Sequence, residues 1–183
     1  MNYFKHKTSI IDENCIIGEN TKIWHWTHIS KNTEIGRDCT IGQNVFIGES
    51  VKIGNNVKIQ NNVSVYQGVF LDDDVFCGPS VVFTNVKFPQ SRFKTEKKNY
   101  SETIIKKGVT LGANSTIVCG ITINENAFIG AGAVITKDIN RNTIAVGNPA
   151  YEIGKICNCK IKVFKKPYNF AKCENCNFEL KSI

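Results

Sequence analysis

The sequence predicts an all-β fold, a parallel β-helix of about six coils with one protruding loop and a small Cys-rich tail. An apolar residue recurs every sixth position without a break: Ile11, Ile17, Ile23, Ile29, Ile35, Ile41, Ile47, Ile53, Ile59, Val65, Leu71, Cys77, Phe83. The beat returns at Ile105, Leu111, Ile117, Ile123, Ile129 and Ile135, and a strict period of six belongs to a hexapeptide solenoid. The next residue is often Gly (Gly18, Gly36, Gly42, Gly48, Gly54, Gly112, Gly130). The fourth is repeatedly Asn, at Asn20, Asn32, Asn44, Asn56, Asn62, Asn114 and Asn126, as suits a corner in the left-handed backbone region that Asn tolerates. An amphipathic helix fits neither the period nor the Gly and Asn content.

Residues 1–150 are therefore read as one β-helix domain and 151–183 as a basic tail. In each hexapeptide the first and fifth positions face inward, which makes Cys15, Cys39 and Cys77 small core hydrophobes rather than reactive thiols. Three hexapeptides close a coil of eighteen residues, so the nineteen hexapeptides give a rod of roughly 30 Å at about 4.8 Å per strand.

From Phe83 to Ile105 the step is twenty-two residues, which is not a multiple of six, so residues 86–103 leave the solenoid as a loop. A long excursion from a rigid scaffold is where binding residues concentrate. With sixteen residues assigned to the excursion, one corner column reads His25, Gln43, Asn61, Pro79, Ala113, Ala131, Pro149. Its change from polar to small residues has two readings. Gly112, Ala113, Gly130, Ala131 and Gly132 either leave a shallow channel for a narrow amide-bearing ligand such as the pantetheine arm of coenzyme A, or serve tight coil corners alone.

The chain has 183 residues, 42% of them apolar, and a net charge of +7. Lys87, Arg92, Lys94, Lys97 and Lys98 against Glu96 and Glu102 give the loop +3, and seven Lys against three acids give the tail +4, leaving the solenoid neutral. No nucleic-acid-binding motif accompanies the basic residues, so phosphorylated small molecules are the expected partners. No stretch is long enough to span a membrane and Met1–Glu13 holds no apolar leader. The expected compartment is therefore the cytoplasm, with no membrane partner.

In the tail, Cys157-x-Cys159 precedes Cys173-x-x-Cys176 by thirteen residues. Two close Cys pairs suit a structural Zn²⁺ that staples a segment too short for its own core. Free thiols and a redox pair are the competing readings.

The hexapeptide frame, the strings 23–29 (Ile-Trp-His-Trp-Thr-His-Ile) and 54–66, Asp73–Pro79 with Phe83-Thr84-Asn85, and Gly147-Asn148-Pro149-Ala150 resemble the left-handed β-helix acyltransferases. Within that group they are most similar to the nucleotide-linked 3-amino-sugar N-acetyltransferases. The resemblance covers about residues 8–156 and implies left-handed coiling, a homotrimer with active sites between subunits, acetyl-CoA along the C-terminal coils and a nucleotide-linked amino sugar nearer the N-terminal ones. The substrate implied first is UDP-2-acetamido-3-amino-2,3-dideoxyglucuronate, with dTDP-3-amino-3,6-dideoxyhexoses as the alternative. Relatives that take the uronate often carry Arg after the loop Pro, whereas Gln90 follows Pro89 here and Arg92 comes two residues later, which keeps the 6-deoxy sugar open. Asn85 matches the position that holds the sugar amine. His25, His28, Asn61, Tyr66 and Arg92 are implied on the sugar side, and Ala113, Gly130, Ala131, Asn148 and Pro149 on the cofactor side. Lys106 and Lys107 are either phosphate partners for coenzyme A or a solvated face.

Chemistry points to an amine acceptor. A sugar hydroxyl needs a general base, worth about 10²–10⁴-fold, yet the three His lie at positions 6, 25 and 28, none of them in the loop. An amine on a carbon flanked by electronegative groups titrates near the roughly 7.7–8.0 of an α-amino group, so much of it is already nucleophilic. Direct attack on the thioester follows, with Asn85 orienting the amine and a backbone N–H holding the oxyanion. His28 as a base is the rival. A non-catalytic solenoid scaffold is the alternative of a different class.

Overall fold

The computed structural model describes residues 2–93, 95–165 and 171–180. Lys94, counted above among the loop cations, and tail residues 166–170 and 181–183 lie outside the described residues.

Three parallel walls wrap one core. The first holds the strands Phe4–Lys5, Lys22–Ile23, Thr40–Ile41, Lys58–Ile59, Phe76–Cys77, Thr110–Leu111, Phe128–Ile129 and Thr143–Val146. The second runs from Ile10–Ile11 to Val134–Ile135 in seven strands, and the third from Ile16–Ile17 to Thr122–Ile123 in six. The antiparallel strands Tyr151–Ile156 and Val163–Lys165 extend the first wall. The fold is thus the expected parallel solenoid, in keeping with a left-handed β-helix.

The first wall has eight parallel rungs, so the solenoid makes about eight turns rather than six. Both extra rungs break the hexapeptide beat. In the first, Lys5 occupies the place of an apolar residue and still pairs with Ile23. In the last, Ile123 pairs with Ile139 and Ile129 with Ala145, a stride of sixteen instead of eighteen.

The sixteen-residue excursion holds on all three walls. Val69 pairs with Thr103, Phe76 with Thr110 and Val82 with Thr116, each thirty-four residues on, which is eighteen plus sixteen. Phe83 ends one strand and Thr103 opens the next.

Inward residues alternate with outward ones as the pleat requires. Ile23, Ile29, Ile41, Ile47, Ile59, Ile105 and Leu111 are fully buried, each worth roughly 1.5–3 kcal/mol of transfer free energy. In the early coils the fifth position carries a donor. The Thr21, Thr27 and Thr33 hydroxyls donate to the carbonyls of Gly36, Gly42 and Gly48 at 2.8, 2.8 and 3.0 Å, and the Cys39 thiol to Gly54 at 3.2 Å. Buried polar groups are thereby satisfied, as they must be. From Val45 onward the position turns largely apolar.

Every fourth-position Asn named above has positive φ, from 53° at Asn56 to 62° at Asn62. Its amide bonds to the coil before: Asn44 to the His25 carbonyl at 2.9 Å, Asn62 to Gln43 at 3.0 Å, Asn114 to Pro79 at 3.0 Å, and Gly132 to Ala113 at 2.9 Å. The column from His25 to Ala131 therefore stacks as expected. It continues at Gly147 rather than Pro149, because the last coil is two residues short.

Candidate active site

The loop returns to the solenoid at the corner between the second and third walls. There the eighteen-residue stride aligns Lys31, Glu49, Gln67 and Asn85. The backbone N–H of Ser101 donates to the Asn85 carbonyl at 3.0 Å and closes the two ends of the loop. The Asn85 side-chain amide reaches the Gln67 carbonyl at 3.4 Å. A short 3₁₀ turn, Lys97–Asn99, places the Lys97 ammonium 2.5 Å from Glu49, and Lys31 lies 3.9 Å from the same carboxylate. The hydrogen bond from Lys97 holds Glu49 below the usual carboxylate range and raises the Lys97 pKa in turn.

A groove of about 420 Å³ opens here, lined by Asp12, Tyr66, Asn85, Glu49, Lys97 and Tyr100 among others. His28, on the second wall, is half-buried with its Nε2 3.2 Å from both Asp12 carboxylate oxygens. Asp12 rather than His28 borders the groove. Phe46 joins the two aromatic neighbours, with ring centroids 5.7 Å from His28 and 6.0 Å from Tyr66.

The remaining sequence-derived residues lie elsewhere. His25 and Asn61 share a second groove of about 330 Å³ at the first-to-second corner. The His25 ring lies 3.5 Å from that of His6 between centroids, tilted by 31°, and the Asn61 side-chain oxygen accepts the Gln43 backbone N–H at 2.9 Å. Arg92 is exposed in the loop, its guanidinium 5.5 Å from the Phe93 ring.

Ala113, Gly130 and Ala131 follow on the His25 corner, and Asn148 and Pro149, both exposed, come just past Gly147. A Cβ on Gly112 would lie 2.5 Å from the Ala131 nitrogen, so coil packing alone requires that glycine. At Gly132, with φ +69°, a Cβ would meet nothing within 4 Å, and the corner is open there. Lys106 and Lys107 sit at the third corner, where Lys107 faces Asp74 at 3.5 Å and Asp73 at 3.8 Å. In the tail, the sulfurs of Cys157, Cys159, Cys173 and Cys176 converge within 4.8 Å of one another.

Asp12, Glu49, Gln67, Lys97 and Tyr100 escaped sequence reasoning. The signal for Glu49 and Gln67 was present, since the stride that aligned His25 with Asn61 also aligns them with Asn85. Lys97 and Tyr100 carried no such signal, because their place depends on how the loop folds back.

The bacterial transferase hexapeptide family (six repeats) matches residues 14–49 and 102–137, and the hexapeptide repeat of succinyl-transferase matches residues 32–67. The matched segments lie on solenoid coils on either side of the protruding loop. Among relatives of this hexapeptide-repeat chain, a dTDP-3-amino-3,6-dideoxy-alpha-D-galactopyranose 3-N-acetyltransferase of Aneurinibacillus thermoaerophilus is 47% identical over 66 residues, covering 36% of this chain and 34% of the relative. A galactoside O-acetyltransferase of Lactococcus lactis is 32% identical over 97 residues, covering 52% and 47%. The chain thus spans a third to a half of the length of these relatives. The acetyltransferase domain of PglB from Neisseria gonorrhoeae, solved with acetyl coenzyme A, superposes with a TM-score of 0.55 at 17% identity, over 82% of this chain and 57% of that one. At that identity the likeness concerns the fold. Among the described residues no helix is long and apolar enough to cross a membrane.

Proposed function

We propose that this chain transfers the acetyl group of acetyl-CoA to the C3 amine of a nucleotide-linked amino sugar, a step in making surface glycans. The observation that carries the reading is Asn85 in the lining of the 420 Å³ groove, its backbone tied by the loop and its side-chain amide reaching the Gln67 carbonyl. An amide there can orient a neutral amine by accepting from it, and orientation alone can supply several kcal/mol of the barrier. The relative from Aneurinibacillus acts on a dTDP-linked 3-amino sugar, which supports the same class of acceptor.

The electrostatics favour the 6-deoxy acceptor over the uronate. Lys31 and Lys97 both already face Glu49, and Arg92 turns to Phe93. A sugar carboxylate would have to compete with Glu49 for either lysine.

In the reaction the free amine attacks the thioester carbonyl, a C–N bond forms, the C–S bond breaks, and the amine proton leaves with the coenzyme A thiolate. A backbone N–H at the Ala113 and Ala131 corner stabilises the oxyanion. The Asn85 corner and the Ala113 corner flank the same second wall, whose outward residues include Ile10, Phe46, Val82 and Val134. Ile10 is 58% and Val82 48% exposed. A homotrimer packed on that wall would bring one subunit's Asn85 corner to a partner's Ala113 corner.

The test is thiol release from acetyl-CoA with UDP-2-acetamido-3-amino-2,3-dideoxyglucuronate, a dTDP-3-amino-3,6-dideoxyhexose and a 4-amino isomer offered separately. Turnover on a 3-amino sugar alone is expected. Turnover only on sugar hydroxyls would replace this reading with O-acetyl transfer.

A further inference from the structure

We infer that the tail is a zinc-thiolate latch, in which Cys157, Cys159, Cys173 and Cys176 hold one structural Zn²⁺ that fastens the C-terminal hairpin to a solenoid corner. The inference does not depend on the proposed reaction.

Geometry comes first. The four sulfurs lie within 4.8 Å of one another, with Cys157 to Cys159 at 3.3 Å and Cys159 to Cys173 at 3.7 Å. A tetrahedral Zn²⁺ with Zn–S bonds of about 2.3 Å needs sulfur–sulfur edges of about 3.8 Å. None of the four is in a disulfide. The backbone N–H of Lys162 donates to the Cys157 sulfur at 3.2 Å, the kind of outer contact that steadies a ligating thiolate.

The packing needs such a centre. Among the described residues the tail's own core consists of Cys157, Phe164 and Cys173 with Cys176 and Phe178 against them, so the two Phe rings are the only large apolar groups in that described cluster. A unit that small does not hold itself together without a staple. Charge agrees as well. Four thiolates around Zn²⁺ carry a net charge of −2, and the tail supplies seven Lys against three acids, with the Lys162 ammonium turned back onto the Lys172 carbonyl at 2.8 Å.

The residues beside the first ligand pair do the fastening. Asn158, between Cys157 and Cys159, accepts from Asn142 at 2.9 Å and from Asn126 at 3.2 Å, both corner residues of the solenoid. Lys160, next to Cys159, is half-buried and donates to the Gly108 carbonyl at 2.8 Å and to the Thr110 hydroxyl. Fixing the cysteine knuckle therefore fixes four hydrogen bonds, made by two residues, to successive coils at one corner. Within the chain, the groove with Asn85 lies at a different corner from the cysteine knuckle.

The experiment uses the full chain purified without chelator, with metal measured by elemental analysis and zinc release followed during titration of thiols by a mercurial. About one zinc per chain, in the stoichiometry of a four-thiolate site, is expected, released as the tail thiols are consumed. Exchange with Co²⁺ should give the absorption of a tetrahedral thiolate site. The Cys173→Ser, Cys176→Ser double variant should lose the metal, and Asn158→Ala should keep it while exposing the tail to proteolysis several-fold faster. A metal-free wild-type chain whose tail thiols alkylate as free cysteines, or are found joined in disulfides by mass spectrometry, would overturn the inference.

Discussion

The Lys97 ammonium meets the Glu49 carboxylate at 2.5 Å across forty-eight residues of chain, and this contact pins the protruding loop to the solenoid beside Asn85. The hydrogen bond lowers the Glu49 pKa from 4.5 and raises that of Lys97 from 10.5. A depressed carboxylate stabilises above its unfolded pKa and loses that contribution as pH falls through the folded value. A raised lysine stabilises below its unfolded pKa and loses that as pH rises through the folded one. The anchor is therefore complete across neutral pH. Protease cleavage of the loop should be flat there and should accelerate only toward the acid and alkaline ends. Glu49→Gln should speed cleavage at pH 7 several-fold and raise KM for the sugar more than it lowers kcat. Unchanged cleavage would mean that the loop is held by its other contacts.

Asn85→Ala should lower kcat/KM by about 10²-fold, the scale of a lost positioning contact, with little change in melting temperature, since the side chain makes one 3.4 Å hydrogen bond. His28→Ala should cost less than about tenfold if the amine arrives unprotonated. A loss in the 10²–10⁴ range of a general base, with a pH profile that shifts in Asp12→Asn, would instead make the His28 and Asp12 pair catalytic.

Gly112→Ala tests what the small residues at the Ala113 corner are for. Its Cβ would strike the Ala131 nitrogen at 2.5 Å, so the variant should lose on the order of 1–3 kcal/mol of stability, measured by chemical denaturation. Stability equal to wild type would reassign Gly112 from coil packing to ligand approach.

Burial pushes the Cys77 thiol up to about 12 and raises that of Cys39. Neither should react with a thiol reagent at pH 8 in the native protein, and both should react once it is unfolded. Rapid native labelling of Cys77 would show that the coil around it opens.

The sequence reveals most of this fold because a solenoid repeats one local rule. The pairing of Val69 with Thr103 follows from subtraction alone. The two rungs it conceals are those where the rule lapses, at Lys5 and at the sixteen-residue step from Ile123 to Ile139. The site is harder to read. Asn85 is visible from its motif and Glu49 from its stride, but the meeting of Lys97 with Glu49 is made by a loop that has no period, so no arithmetic on positions predicts it.

The strand Tyr151–Ile156 runs antiparallel along Thr143–Val146, and this reversal governs whether copies of the chain can join. A rod of parallel rungs that ended on Thr143–Val146 would offer unpaired backbone groups in the same direction and spacing as its own coils, a seed onto which the first rung of another copy could add. Turning the chain back fills those groups with the wrong polarity for further growth. Cutting the chain before Tyr151 should convert a discrete particle into end-to-end fibres, so that colloidal behaviour, more than catalysis, is what the reversed strand protects.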